Sequence, residues 1–245
     1  GSLVLLRLGV TTHLNAYDLT ALRFGTAGAL LLPVIFKRGL ALERLGVVGL
    51  VLLIACFGAL YIALISQALK TASASAAGAL NPGIMAVSAV VLGTVLFKDQ
   101  ANFMNIAGNA LILMGVFGQV AWASAGFTSG HLLLGLTGIM WASYTVIIRK
   151  SGISALHATA LVAVGSAMVY LPIYAFALPK RVFDAPVPDI LLQAGFQGVL
   201  VSVLAVFAFN RSTELLGAVI GSTLPALIPL VTLLLGAVIL SEPSR

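Results

Sequence analysis

Charged residues are scarce in this chain. Asp, Glu, Lys and Arg make up 8% of its 245 residues, whereas a soluble globular domain carries about 25%. Hydrophobic residues make up 60%, so the polar surface is too small to cover a water-soluble particle of this size. The 13 Lys and Arg residues are scattered singly or in pairs, which excludes a basic patch for nucleic acid. The composition excludes a cytosolic enzyme and indicates a helical protein that crosses the membrane several times.

Residues that bind metals or phosphates are also few. Cys56 is the only cysteine and lies in an apolar run, so we interpret it as a small core residue. No Gly-rich phosphate loop is present, and no second His, Cys or acid stands at ligand spacing from any histidine. We therefore expect no metal, no cofactor and no ATP-driven activity. The histidines are His13, His131 and His157.

Long apolar runs dominate the chain, and each is close to the ~20 residues that cross a bilayer. We number these predicted spans 2 to 9: about 19–36, 45–67, 72–97, 101–122, 131–148, 155–178, 188–209 and 214–240. Residues 1–11 are expected to form the second half of a span 1. The breaks between spans are short, so no soluble domain fits between them.

The chain repeats itself. When Gly78 is aligned with Gly221, a shift of 143, four further identities follow: Pro82, Leu92, Gly93 and Val95 fall on Pro225, Leu235, Gly236 and Val238. Asp99 falls on Glu242 at the same shift. At a shift of 140, Gly-Thr-Ala at 25–27 matches Gly-Ser-Ala at 165–167. We predict two repeats, 1–122 with spans 1 to 5 and 131–245 with spans 6 to 9. Because the repeat has five spans, its second copy is inverted in the membrane, as in secondary transporters.

Loop charges predict the orientation. With a cytoplasmic amino end, the loops inside the cell contain seven basic residues: Lys37, Arg38, Arg44, Lys98, Arg149, Lys150 and Arg211. The outside loops contain four: Lys70, Lys180, Arg181 and Arg245. The excess favours an amino end in the cytoplasm.

The five-span inverted repeat, the Ala-Leu-Arg-Phe sequence at 21–24 and the paired Pro, Leu-Gly and acidic windows resemble the drug/metabolite transporter superfamily, in its ten-helix EamA-type branch. The resemblance covers the whole chain, and relative to it the start of span 1 and span 10 are expected to be missing. It implies an early arginine in span 2, matched by Arg23, and carboxylates after spans 4 and 9, matched by Asp99 and Glu242. It implies a transporter of small molecules such as amino acids, nucleosides, sugars or drugs.

Two arginines lie within spans, where a charge is costly. Arg7 and Arg23 flank the 11–18 loop at similar depth. They suggest a cationic vestibule for carboxylate-bearing substrates. The alternative is that their long side chains reach the lipid headgroups.

Uncharged polar residues within spans are the other candidates for a substrate cavity. Gln193 and Gln197 are four residues apart and share a helix face. Leu204 is expected to continue that face and, at the shift of 143, to correspond to Tyr61. The alternative is an ordinary hydrogen bond between helices. Span 6 contributes a further cluster of Trp141, Ser143 and Tyr144.

Prolines and helix-end acids complete the candidates. Pro82 and Pro225 occupy equivalent repeat positions and are either cavity-lining hinges or ordinary kinks. Asp18 precedes span 2 and is interpreted as its N-cap. Asp99 and Glu242 stand at turns, where capping is the simpler role than gating. No visible acid lies at the midplane, so proton coupling through a central carboxylate has no candidate.

The sequence thus predicts an all-α polytopic membrane protein with two inverted five-helix repeats around a central cavity. We expect a secondary transporter of small organic metabolites, an exporter in the cytoplasmic membrane, present as a monomer or homodimer. The alternatives are a membrane-embedded enzyme and a non-transporting receptor or scaffold.

Overall fold

The computed structural model describes residues 14–97 and 127–223, together with a few single positions between 107 and 118. Within these residues the chain is helical and contains no strand. The helices are α1 (Ala16–Arg38), α2 (Leu42–Phe57), α3 (Ala59–Ala68), α4 (Ala74–Phe97), α5 (Ser129–Ser151), α6 (Ala155–Ala177), α7 (Val187–Gln193), a π-helix (Ala194–Ala205) and α8 (Val206–Thr223).

Six stretches of the described residues are long and apolar enough to cross a membrane. They are Ala16–Arg38, Leu42–Ala68, Ala76–Leu96, Ser129–Ser151, Ala155–Ala177 and Val187–Leu215. They correspond to predicted spans 2, 3, 4, 6, 7 and 8. Large apolar side chains cover the outside of the bundle; Phe36 is 80% exposed and Phe176 is 91% exposed. Such a surface belongs in lipid, so the chain is an all-α multi-pass membrane protein.

The start of α1 explains how polar residues define a helix end here. Asn15 is the N-cap, and its side-chain oxygen accepts from Tyr17 N at 2.8 Å and from Asp18 N at 2.9 Å. The bond is reciprocal, because Asp18 Oδ2 accepts a hydrogen bond from Asn15 N at 2.9 Å. This is a capping box. Asp18 therefore occupies the third helical position, and its interpretation as the N-cap was wrong.

The break predicted between spans 8 and 9 at residues 210–213 is absent. The helix continues from Val206 to Thr223. Ser212 Oγ and Thr213 Oγ1 donate to Phe209 O at 2.7 and 3.1 Å, so their hydroxyls are satisfied within the helix. Asn210 is fully buried. The polar run was interpreted as a loop because the sequence does not show these partners.

The helices pack mainly as two pairs, α1 against α6 and α4 against α5. Small residues permit the first pairing: a Cβ on Gly28 of α1 would lie 2.8 Å from Ala167 Cβ of α6. Cys56 is buried beside Leu53 and Tyr144, as expected for a core residue. The π-helix packs against α1, and α8 packs against α4, α5 and α6. These contacts surround the middle of the bundle with residues from both predicted repeats.

Candidate functional site

Two membrane-crossing segments depart from α-helical geometry at equivalent positions. Gly58 separates α2 from α3, with φ −97° and ψ −147°. Gly198, which corresponds to Gly58 at the shift of 140, lies in the π-helix. A Cβ on Gly58 would collide with Ser166 Oγ, and one on Gly198 would lie 2.5 Å from Thr26 Cβ. Thr26 corresponds to Ser166 at the same shift, so the same helix-to-helix contact occurs twice.

Similar hydrogen bonds occur at both ends of the α1–α6 pair. At one end, His157 Nε2 donates to Gly39 O at 2.9 Å. At the other end, Asn15 Nδ2 donates to Pro179 O at 3.0 Å. Gly39 corresponds to Pro179 at the shift of 140, and each follows the end of its helix. In both cases a side chain at or near the start of one helix donates a hydrogen bond to a main-chain carbonyl just beyond the end of the other helix.

These bonds belong to two junctions at opposite ends of the bundle. The Asp18 junction comprises Asn15, Asp18, Tyr174, Pro179 and Arg181. There, Asp18 Oδ1 accepts from Tyr174 OH at 2.5 Å and from Arg181 N at 3.2 Å. Asp18 thereby ties α1 to α6 and to the loop that follows it.

The His157 junction comprises Arg38, Gly39, Arg44, Gly152, Ser154 and His157. Arg38 Nη1 donates to Ser154 Oγ at 2.5 Å, and Arg44 Nη1 donates to Gly152 O at 2.9 Å. Beside it, Glu214 Oε2 accepts from Ala155 N at 3.1 Å. A cavity of ≈ 690 Å³ opens between these loops.

Five aromatic rings meet in the middle of the bundle; we call them the aromatic cluster. Phe57 stacks on Tyr144, with ring centroids 4.4 Å apart, and lies 5.3 Å from Tyr61 and 5.5 Å from Trp141. Phe209 of α8 lies 5.5 Å from Trp141. Phe57 directly precedes the break at Gly58, so the cluster forms where this crossing segment is interrupted.

Two buried chains of hydrogen bonds hold the tyrosines of the cluster. Tyr61 OH donates to Asn81 Oδ1 at 3.0 Å, and Asn81 Nδ2 donates to Thr137 Oγ1 at 2.7 Å. In parallel, Tyr144 OH donates to Asn210 Oδ1 at 3.0 Å, and Asn210 Nδ2 donates to Thr159 Oγ1 at 2.9 Å. The threonine hydroxyls donate in turn to main-chain carbonyls. Since their partners are fixed, both tyrosine rings are rigidly placed.

Four side chains have buried polar atoms without a hydrogen-bond partner among the described residues. The atoms are Arg23 Nε, Trp141 Nε1, Gln193 Oε1 and Gln197 Nε2. Arg23 interacts electrostatically with Tyr61, and the Tyr61 and Trp141 rings are 6.4 Å apart. Gln193 and Gln197 are only 3% and 4% exposed. Buried polar atoms are nearly always paired, so these four are candidate contacts for a polar ligand or water.

These four side chains lie at different depths in the bundle. At 1.5 Å per residue, Arg23 and Gln193 are roughly 9–10 Å below the Asp18 end of their segments, Gln197 about 15 Å and Trp141 about 18 Å. The site therefore extends from the half nearer the Asp18 junction to the middle of the membrane.

Comparison with known proteins agrees with this architecture. The chain matches the EamA-like transporter family over residues 1–120 and again over residues 128–244. It belongs to the EamA-like transporter family. A solved structure described as "Crystal structure of protein" is similar over 98% of this chain and 85% of its own, with 22% identity and a TM-score of 0.69, which supports the fold. No curated protein matches the chain.

Most of the described cavity candidates of this EamA-like protein lie around the aromatic cluster. Arg23, Tyr61, Trp141 and Tyr144 are joined through ring and electrostatic contacts. Gln193 and Gln197 lie on the segment that packs against α1. Pro82 is buried next to Asn81, and α4 continues through it. The candidates outside the described residues are Arg7, Asp99, Pro225 and Glu242.

Two candidates differ from the rest. Ser143 Oγ donates to Ile139 O of its own helix at 2.9 Å, so this hydroxyl is satisfied within α5. Leu204 is 52% exposed and does not continue the face of the two glutamines. In the π-helix, hydrogen bonds join residues five apart, and Ser202 Oγ donates to Gln197 O at 2.9 Å. Ser202, and not Leu204, therefore lies one turn beyond Gln197.

Several residues of the site were missed in the sequence. Phe57 and Phe209 resemble any other apolar residue in a span, and nothing in their spacing separates them from lipid-facing residues. Asn81 and Asn210 carried a usable signal, since an amide within a membrane helix demands a partner. His131 and His157 both have structural bonds: His131 Nδ1 accepts from Thr128 N at 3.0 Å, as part of the cap of α5.

Proposed function

We propose that this EamA-like protein is a secondary transporter that moves small organic metabolites, such as amino acids or drugs, across the cytoplasmic membrane by alternating access. The observation that carries the proposal is a shift of 140, which relates the packing at Gly58 to that at Gly198 and also relates the two carbonyl acceptors of the end junctions, Gly39 and Pro179. Two halves related in this way can expose the same central site to either side. The division into repeats 1–122 and 131–245 is supported by the two matched ranges.

Each junction connects the first repeat to the second by a few hydrogen bonds. A hydrogen bond contributes only about 0.5–1.5 kcal/mol, or up to about 3 kcal/mol with a charged group. Opening one junction while the other stays closed is therefore accessible on the timescale of transport, whereas opening both costs roughly twice as much. This difference is what alternating access requires.

We infer that the His157 junction faces the cytoplasm. Most of the basic residues of the described chain lie at this end: Lys37, Arg38, Arg44, Arg149 and Lys150 in loops or at helix ends, and Arg211 within α8, where it pairs with Glu214. This orientation places the amino end in the cytoplasm and the orphaned polar atoms nearer the outside. Export is the direction we propose, by a monomer or homodimer without nucleic-acid partners.

Flux across a membrane tests the proposal. The purified protein is reconstituted in liposomes, and uptake of labelled amino acids is followed beside a hydrolysis assay on the same compounds. We expect uptake that protein-free liposomes lack and no hydrolysis. Product formation would support a membrane-embedded enzyme, and saturable binding without uptake would support a receptor or scaffold.

A further inference from the structure

The Arg23 guanidinium has no hydrogen-bond or ion-pair partner among the described residues. Its Nε is buried without a partner, and its Cζ lies 5.6 Å from the centroid of the Phe24 ring. Its electrostatic neighbour is Tyr61, which is only 6% exposed and lies inside the bundle. Arg23 therefore extends into the protein and does not reach the headgroups.

No acid in the described chain forms an ion pair with Arg23. Asp18 is closest along the helix, but its carboxylate is held at the helix start by hydrogen bonds from Tyr174, from Arg181 N and from Asn15 N. Glu214 is held at the opposite end of the bundle by Ala155 N. The other described acids stand in a loop or in a first helical turn: Glu43, Asp184 and Asp189. A buried cation without a counter-charge is costly, so this site favours a bound anion.

We propose that the transported molecule is an organic monocarboxylate, free or zwitterionic, whose carboxylate is bound by Arg23; the proposal rests on the transport function above. A guanidinium matches a carboxylate with two parallel hydrogen bonds. The single positive charge balances one negative charge, whereas a phosphate ester would leave the site negative. A cation is repelled by Arg23, and none of the unpartnered groups named above is an acid.

The remaining unpartnered groups fit the rest of such a molecule. Trp141 Nε1 is a donor only, and it suits a second oxygen. The amides of Gln193 and Gln197 both donate and accept, so they can bind an amino or hydroxyl group. The aromatic cluster, to which Trp141 belongs, provides an apolar wall. Arg23 therefore selects the charge, while the amides and the rings select the side chain.

The test follows flux of a defined mixture. Liposomes containing the native protein are loaded with a small-metabolite extract of cells, and mass spectrometry identifies the compounds that leave. We expect monocarboxylates. Arg23→Gln should lower their flux at low concentration by about 10–100-fold, the effect of losing a charged hydrogen-bonded pair. Arg23→Lys should retain part of the flux, and Lys180→Gln, at an exposed position, should leave it unchanged.

Two outcomes overturn this assignment. Export of neutral or cationic compounds alone would leave the transport function standing and reject the substrate class, as would native carboxylate flux in Arg23→Gln. If native protein releases nothing, the transport function itself fails. A purely structural Arg23 is detected separately: Arg23→Gln should unfold at the same or a higher temperature than native protein, because an unpaired buried charge is removed. A lower unfolding temperature contradicts the proposal.

Discussion

Adding one methyl group at Gly198 should destabilise the bundle, because α1 passes close to the π-helix there. An alanine Cβ would lie 2.5 Å from Thr26 Cβ and 2.8 Å from its Cγ2, whereas carbon atoms in contact prefer about 3.5–4.0 Å. Overpacking costs about 1–3 kcal/mol, and the better helix propensity of alanine offsets about 1 kcal/mol.

The matched control is Gly195→Ala, three residues earlier in the same π-helix, where a new Cβ meets nothing within 4 Å. This control variant gains the better helix propensity of alanine without any overpacking. We therefore expect Gly198→Ala to be about 1–3 kcal/mol less stable than Gly195→Ala. Equilibrium unfolding in mixed detergent micelles measures the difference. Equal stabilities of the two variants would refute the close contact.

A double variant tests the partner. Thr26→Gly removes the atoms that an alanine at 198 would meet, so its effect and that of Gly198→Ala should not add. The double variant should be more stable than the sum of the single changes by about 1–3 kcal/mol. At Gly58 the equivalent rescue by Ser166→Gly should fail, because a Cβ there also collides with the main-chain oxygen of Ile54. Additivity within about 0.5 kcal/mol at Gly198 would show that Thr26 is not the obstacle.

Two further substitutions test the site and a junction. Gln197→Ala removes a buried, unpartnered amide and should raise the apparent KM for transport by about 10-fold, which corresponds to the loss of one hydrogen bond. Gln67→Ala, at an exposed position, should leave the KM unchanged. The same KM in both variants would place Gln197 outside the site. Asp18→Asn should lower stability by about 1–2 kcal/mol more than Asp189→Asn. Both changes remove an acid from a helix start, but only Asp18 also bonds Tyr174. Equal unfolding midpoints would show that the Asp18 junction contributes nothing.

The fold was largely predictable from the sequence, because a bilayer imposes one simple rule on length and hydropathy. Spans 2, 3, 4, 6 and 7 all appear as helices within a few residues of their predicted limits. The error at residues 210–213 has a specific cause. Asn210 has the polarity of a loop residue, but its amide is buried between Tyr144 and Thr159, and only the folded structure shows those partners.

The site was predictable where a polar atom must find a partner, and less so elsewhere. Gln193 and Gln197 were identified because amides are rare in spans. Tyr61 was chosen through its expected correspondence with Leu204, and that reasoning was wrong. The contacts of this segment follow a shift of 140, not 143, and the π-helix turns Leu204 outward. A π-helix holds more residues per turn than an α-helix, so it can take up extra residues in the second repeat.

Alternate opening of the two junctions is tested most directly by locking each one. In a Cys56→Ala background without other cysteines, one pair of new cysteines replaces Arg38 and Ser154, and another replaces Asp18 and Tyr174; the native side chains of each pair touch. Flux in liposomes is measured before and after a short thiol cross-linker, and again after a reducing agent if the cross-linker is cleavable. We predict that cross-linking either pair stops transport and that cleavage restores it. Continued transport with either junction locked would contradict alternating access through this site.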